Sequence, residues 1–110
     1  MDGIENARIK NICVGYEYGS LTVSISTEGD CWLQSFGDFS LGSQFRWTEH
    51  VNWSAWFICS VFDTVGVHTL EDLIDEPIRI RREEGRIVAI GHFLKDVWFC
   101  PREVIDFMEI

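Results

Sequence analysis

Arginine, lysine, histidine and tryptophan occur together between Pro77 and Pro101, and these residue types suit the binding of a small anion. The guanidinium group of arginine binds phosphate through two parallel hydrogen bonds, and an aromatic ring can stack on a nucleobase. A histidine and a lysine in the same stretch add donors for the edge of a base or for further phosphates. The segment therefore suits an anion that carries a flat ring.

Alternation within this segment predicts the element that positions the arginines. Residues 78–81 alternate isoleucine with arginine, which is the period of a half-buried strand. Residues 83–86 read EEGR and suit a turn, and residues 87–90 continue as a second strand. We therefore predict a β-hairpin with arginines on one face. Those arginines also fit a solvated strand face paired with Glu83 and Glu84, which is the alternative to an anion site.

The end of the segment carries a glycine, two adjacent aromatic residues and a cysteine. Gly91 interrupts the second strand where the backbone can bend or be approached closely. Trp98 and Phe99 are adjacent in an extended stretch, so they cannot both point into the core, and one should face a cavity or a partner. Cys100 and His92 could form a nucleophilic pair, although a cysteine in this context is more often a small buried residue. We therefore expect a protein that is not an enzyme.

Chain length and composition predict a single domain over residues 1–110. A chain of this length buries about 60 to 70% of the surface that its unfolded form exposes, which is enough for a core without disulfides or metals. Apolar residues make up 46% of the chain, with five Trp and eight Phe. That much ring surface is hard to bury in so small a monomer, so we expect self-association.

The net charge of −9 argues against binding to long nucleic acids or to an anionic membrane surface, since both need a positive footprint. The charges are unevenly distributed along the chain. Residues 1–77 contain three basic and twelve acidic residues, whereas residues 78–102 contain six basic and three acidic ones. An acidic protein can therefore still hold a compact anion site.

The four cysteines show no CxxC spacing, so neither a zinc site nor any other metal or cofactor is expected. The sequence has no apolar run of 18 residues and no charged-then-apolar leader, which argues against a membrane span and a secretion signal. Free thiols in the cytoplasm are the expected state.

Three strands are predicted before the hairpin. Residues 7–14 alternate and should end at Gly15. Residues 21–26 place their aliphatic side chains on one face and their hydroxyl groups on the other. Residues 31–39 return as a third strand after a turn, and Phe36-Gly37 within it suggests a bulge or a close backbone approach.

A main helix is predicted over residues 53–65. Asn52 is a good N-cap, and Gly66 stands where a left-handed C-terminal cap belongs. Apolar residues surround nearly the whole helix, so it should be buried on more than one side. The second side could contact either another subunit or a deep core, and we favour another subunit.

Two short helices are expected near the C-terminus. Thr69 and Asp72 resemble a capping box that starts a helix through Leu73, after which Pro77 should restart the chain as a strand. Pro101 suits the first turn of a last helix. The predicted fold is α+β, with a mostly antiparallel sheet of about five strands, one main helix and short C-terminal helices.

Short motifs along the chain resemble, in their order and spacing, those of the small phage and prophage proteins that act as anti-Thoeris signal sponges. The matching segments are 6–9 (NARI), 15–17 (GYE) with 19–22 (GSLT), 28–30 (EGD) before Trp32, 36–37 (FG), 65–67 (VGV) and 89–91 (AIG) through 95–101 (KDVWFCP). They span nearly the whole chain. Each motif is short, and the specificity lies in their order and spacing.

The resemblance implies a non-enzymatic inhibitor of bacterial immunity. Members of the family bind the cyclic ADP-ribose isomers that TIR-domain enzymes make, withhold them from the downstream effector without cleaving them, and in some cases bind cyclic di- or trinucleotides. They assemble as dimers or as hexamers built from dimers, with ligand pockets between subunits. The implied partners are a cyclic nucleotide and further copies of the chain in the cytoplasm of an infected bacterium, with no nucleic-acid polymer and no membrane.

The matching segments, combined with residue chemistry, give the candidate ligand-binding residues. We expect basic side chains to hold phosphates, Phe36 or Trp98 to stack on the adenine, and His92 to read a base edge or a ribose. The full candidate set is Phe36, Arg81, Arg82, His92, Lys95, Trp98 and Arg102. The family pattern often has asparagine at the position of His92, and Gly-Gly-Tyr where residues 37–39 read GDF, so the choice of ligand stays open.

Two other functions stay open from the sequence. The acidic surface could mimic nucleic acid and block a host defence protein by direct contact. A small enzyme acting on a nucleotide would instead depend on His92 or Cys100.

Overall fold

Six strands and two helices form an α+β fold in the residues that the computed structural model describes, which are 3–17, 20–37 and 47–101. For residues 17, 20, 21 and 47–52 the backbone alone is described. The elements are β1 (Gly3–Glu17), β2 (Ser20–Glu28), β3 (Leu33–Gly37), α1 (Trp47–Val65), α2 (Leu70–Leu73), β4 (Pro77–Glu83), β5 (Arg86–His92) and β6 (Trp98–Phe99). The predicted fold class is confirmed. The predicted number of strands was slightly low, because β6 has two residues and is too short to show alternation.

The six strands form one antiparallel sheet in the order β3-β2-β1-β4-β5-β6. β1 lies at its centre, and its first half pairs with β4 while its second half pairs with β2. The prediction that this strand ends at Gly15 is wrong, because Gly15 pairs with Thr22 and the ladder continues to Glu17. Pairing across the sheet therefore overrides the local weakness of glycine in a strand.

The predicted hairpin is confirmed as β4 and β5. Glu84 and Gly85 have φ angles of 52° and 77°, which is the two-residue turn that matches the twist of paired strands. The register shifts next to Arg82, so the hairpin contains a β-bulge.

One face of the sheet is covered by α1 and is called here the helix face, and the opposite face, which no described element covers, is called the outer face. α1 packs on the helix face against β2, β5 and β6. Alternation along β4 places Ile78, Ile80 and Arg82 on the helix face, and Arg79 and Arg81 on the outer face. The buried core between α1 and the sheet consists of Ala7, Ile9, Val23, Ile25, Phe36, Phe57, Val61, Val65, Leu73, Ile78, Ile80, Ile87, Ile90 and Phe99.

The sheet curls around the helix face until its two edges approach each other. β3 and β4 are separated by two strands in the sheet, which would place them about 14 Å apart if it were flat. Gln34 of β3 nevertheless donates from Nε2 to the carbonyl of Gly85, at 3.1 Å, and accepts a hydrogen bond from Arg82. At the two edges of the sheet, the rings of Phe36 and Phe99 lie 6.1 Å apart. The helix face is therefore a concave interior.

α1 buries one stripe of its surface in this interior. Trp53, Phe57, Val61 and Val65 recur every four residues and are buried. The flanking residues Trp56, Ile58 and Phe62 are partly buried against the core, and Ala55 and Cys59 are exposed. The helix is therefore covered on one face and along its flanks.

The two ends of α1 test the predicted helix caps. The prediction that Asn52 caps the helix is wrong, because α1 begins at Trp47 and Asn52 lies inside it. Asparagine costs only a few tenths of a kcal/mol more than an average residue within a helix, so packing decides the boundary. The predicted C-cap is confirmed, since Gly66 has a φ of 87° and its N–H donates to the carbonyl of Phe62 at 2.8 Å.

α2 follows the predicted capping pattern. The Thr69 hydroxyl accepts from the backbone N–H of Asp72 at 3.1 Å, and Pro77 begins β4 as expected. The helix predicted after Pro101 lies outside the described residues. No helix among the described residues is long and apolar enough to cross a membrane.

Candidate functional site

The loop between β5 and β6, residues 92–97, is held in shape by hydrogen bonds to His92. The backbone N–H of His92 donates to the carbonyl of Val97 at 2.9 Å. Its imidazole Nδ1 accepts from the backbone N–H groups of Leu94 and Lys95, both at 3.0 Å. Since both partners are donors, Nδ1 carries no proton and the ring proton is on Nε2.

Arg79 holds the same loop from the outer face. Its Nε donates to the carbonyl of His92 at 2.9 Å, and its Nη2 donates to the carbonyl of Lys95 at 2.7 Å. The guanidinium carbon lies 4.9 Å from the ring centre of Trp98, within the range of a cation–π interaction. One side chain therefore fixes the loop and the ring together.

Gly91, the glycine that we predicted to allow a close approach, is in contact with the ring of Trp98. Gly91 lies between Arg79 and Trp98 in the sheet, and a Cβ built at Gly91 would come 2.7 Å from the Trp98 ring. Any larger residue would displace the ring. Trp98 also donates from Nε1 to the carboxylate of Asp96 at 3.2 Å. The indole is therefore fixed in position before any ligand arrives.

Arg79, Arg81, Lys95 and Trp98 together form what we call the Arg79 corner. Arg81 follows Arg79 on the same face of β4 and is partly exposed, with its Nε 3.6 Å from the carboxylate of Glu83. Lys95 is exposed on the loop. No described residue accepts a hydrogen bond from Nη1 of Arg79, so this nitrogen retains donors for a ligand.

A further arginine of the outer face, Arg8, differs in its surroundings. Arg8 donates from Nη2 to Glu28 at 2.5 Å and lies 4.0 Å from Asp75. The hydrogen bond to Glu28 and the charge of that carboxylate raise the pKa of Arg8 above its usual value. Two carboxylates therefore surround the single arginine at this end of the outer face, whereas at the Arg79 corner the carboxylates of Glu83 and Asp96 face three basic side chains, those of Arg79, Arg81 and Lys95.

Three of the candidate residues contact Arg79, but they do so in different ways. Lys95 and His92 bind it through their carbonyl groups, and Trp98 binds it through its ring. The His92 imidazole itself points to the helix face, where a Cβ on Gly66 would lie 3.9 Å from Nε2. The prediction that Trp98 and Phe99 cannot both point into the core is confirmed, since Phe99 enters the core and Trp98 lies on the outer face with Arg79.

Two candidate residues lie in the concave interior instead. Phe36 is 1% exposed and packs against Phe57 and Phe99. Arg82 donates to Glu5 at 3.0 Å and to Gln34, and its guanidinium lies 4.7 Å from the ring centre of Trp32. Both side chains are therefore occupied by contacts within the chain. The remaining candidate, Arg102, lies outside the described residues.

Sequence reasoning left Arg79 out of the candidate set, although it is the residue that connects the others. Two features of the sequence point to Arg79: its outward position in the alternation of β4, and the glycine at position 91. They reveal the contact only together with the strand register, which places Arg79, Gly91 and Trp98 side by side. That register cannot be predicted from the sequence, because β6 has two residues and shows no alternation.

Comparisons with protein-family models, with curated proteins and with solved structures give no match for this chain. The resemblance to the anti-Thoeris sponges therefore stays a prediction.

Proposed function

We propose that this protein binds a cyclic ADP-ribose isomer or a related cyclic nucleotide and sequesters it without cleaving it. The observation that carries the proposal is the Arg79 corner, where two arginines, a lysine and a fixed indole share one face of the sheet. The segment that builds this corner also contains the longest stretch of the resemblance to the signal sponges. In that role the protein would inhibit Thoeris-like defence in the cytoplasm of an infected bacterium.

Each residue of the corner has a role that follows from its position. Arg81 and the free Nη1 of Arg79 bind phosphate oxygens, and Lys95 adds a mobile positive charge. Trp98 offers ring surface beside them for the base. Arg79 binds the loop through Nε and Nη2, so the site is organised before binding, and less conformational entropy is lost on binding.

The candidate set changes with this geometry. Phe36 and Arg82 are left out of the proposed pocket because they lie in the interior, and the imidazole of His92 lies on the helix face. Arg102 stays a candidate on residue chemistry alone.

Homo-oligomers, dimers or hexamers, are part of the proposal. No element of the described part of the chain covers the outer face, and phosphate and indole contacts are strong only where water is excluded. A sponge acts by stoichiometry and needs nanomolar affinity, about −12 kcal/mol. A second subunit covering the outer face would supply the enclosure that one chain lacks.

The test is isothermal titration of the purified protein with cyclic ADP-ribose isomers and a panel of cyclic di- and trinucleotides. We expect nanomolar binding to at least one of them, with a stoichiometry near one or one half per chain. Heating the complex and analysing the released compound by mass spectrometry should recover the ligand intact. A cleaved product would indicate an enzyme. A flat trace across the panel, with a host protein co-purifying, would indicate direct inhibition of that protein.

Variants locate the binding at the Arg79 corner. Arg81→Gln and Trp98→Leu should each weaken binding at least tenfold. Arg86→Gln is the matched control, because Arg86 is exposed on the same hairpin but next to the turn, away from the corner. Equal losses in all three variants, or none in any, would place the ligand elsewhere.

A further inference from the structure

A second site is suggested by a cavity of about 300 Å³ at the end of α1. It is lined by Phe62, Asp63, Gly66, Val67 and His68. The first two belong to the last turn of the helix, and the other three follow it. The site lies on the helix side of the protein, so it is distinct from the Arg79 corner on the outer face.

The electrostatics of this cavity favour a positive charge. A helix ends in carbonyl groups that carry a partial negative charge. The Gly66 N–H binds the carbonyl of Phe62, and no described residue donates a hydrogen bond to the carbonyls of residues 63–65. The last turn of α1 contains no basic residue, and Asp63 adds an exposed carboxylate to it. The chain itself thus leaves this negative charge uncompensated in the described structure.

The neighbouring histidine contributes no fixed positive charge in this geometry. The imidazole of His92 borders Gly66, and its Nδ1 already accepts two backbone N–H groups. The ring is therefore neutral in the arrangement that holds the loop. The titratable groups that line the cavity itself are Asp63 and the exposed His68.

The remaining walls of the cavity are apolar. Phe62 and Val67 are partly buried against the core, and both contribute to the lining. An alkyl chain can pack on Val67, and a cation is attracted to the face of a phenyl ring. One carboxylate with a few carbonyls suits a monovalent ammonium better than a divalent metal, which takes six or more oxygen ligands.

We propose that this cavity binds a primary ammonium group on a short alkyl chain, with the ammonium at Asp63 and the helix carbonyls and the chain on Phe62 and Val67. The inference does not rest on the proposed nucleotide site, which takes a ligand of opposite charge at other residues. Each proposal has its own test, so the nucleotide site can fail while the amine site holds, and the reverse.

The test is a titration of the ¹⁵N-labelled protein with n-butylammonium chloride, followed by two-dimensional NMR. We expect saturable shifts of the amides of residues 62–68. n-Butanol, which lacks the charge, and sodium chloride at equal ionic strength should both give at most a tenth of the affinity. Asp63→Asn should weaken binding at least tenfold.

Asp75→Asn is the matched control, because Asp75 is an exposed carboxylate outside the cavity and asparagine tolerates its positive φ of 65°. It should leave the butylammonium affinity unchanged. Shifts that are equal in Asp63→Asn and in the native protein, or that spread over the acidic surface in proportion to salt, would overturn the proposal. The same spectra show whether each variant is folded.

Discussion

Arg79 does two things that different residues usually do, since it fixes a loop and presents a charge. Its Nε and Nη2 are held by two carbonyl groups, and its plane lies against an indole. Lysine has one nitrogen and no planar fork, so it cannot reproduce these contacts. The charge alone therefore does not define the role of this residue.

Replacing Arg79 by glutamine should loosen the loop as well as weaken ligand binding. We expect a loss of about 1–2 kcal/mol in the free energy of unfolding, because charge-assisted hydrogen bonds at a partly exposed site are lost. Amide hydrogen exchange of Leu94 and Lys95 should accelerate at least tenfold. Arg86→Gln should change the stability by less than about 0.5 kcal/mol. Unchanged exchange in the loop would show that His92 alone holds it.

The effect of Gly91→Ala on stability should change sign when Trp98 is replaced by a smaller residue. Gly91→Ala forces the Trp98 ring to move, because a Cβ would lie 2.7 Å from it, and overpacking of this kind costs about 1–3 kcal/mol. In a Trp98→Leu background the clash is relieved, and alanine in a strand is favoured over glycine by about 0.5–1 kcal/mol. Urea unfolding of the four proteins measures both effects. A destabilisation that is the same in both backgrounds would contradict the contact.

At the scale of elements, the closure of the curled sheet depends on a few polar contacts. Arg82 joins β4 to β1 through Glu5 and to β3 through Gln34, and its side chain is 10% exposed. Glu5 is partly exposed, which reduces the effect of losing its charged partner. These contacts hold β3 over the end of the β4–β5 hairpin.

Arg82→Met should therefore destabilise the protein by about 2–3 kcal/mol, which is less than a fully buried ion pair would lose. Gln34→Ala should cost less than Arg82→Met, and it should cost less still in the Arg82→Met background, where the hydrogen bond that the two side chains share is already lost and only the one to the Gly85 carbonyl remains. Chemical denaturation of the single and double variants gives the coupling. Additive effects would mean that Gln34 and Arg82 act separately.

The sequence predicted the elements that follow from a local pattern of residues. The hairpin, the Gly66 cap and the Thr69 cap all rest on neighbouring residues. The start of α1 was missed because Asn52 is typical of a cap but also tolerates a helix interior. The interior position of Arg82 was missed because its partners lie on strands that are distant in the chain. The same limit hid the role of Arg79, whose partners are defined by strand register.

At the scale of the whole molecule, the protein combines a net charge of −9 with large exposed apolar side chains. Leu94 is 82% exposed on a loop that is otherwise well fixed. Phe93 and Val97 of the same loop are also exposed, and several exposed apolar side chains close together are typical of a surface that contacts another molecule. The self-association expected from the composition stays a prediction.

Light scattering after size exclusion should therefore give a multiple of the 12.8 kDa chain mass. A dimer or a hexamer would support the proposed enclosure of the outer face. Adding salt should leave the assembly intact if apolar contacts hold it, since screening weakens charge contacts only. A monomer at micromolar concentration would contradict the need for a second subunit.

The central position of β1 also determines when the protein can fold during synthesis. Residues 3–8 pair with residues 77–82, and the ladder with β2 begins only at Arg8, so the first half of β1 lacks its strand partner until β4 has left the ribosome. At about 5–20 residues per second this delay lasts several seconds. During it the meander of β1, β2 and β3 exists without the strand that will carry Arg79. The Arg79 corner is therefore completed only after Trp98 has also left the ribosome.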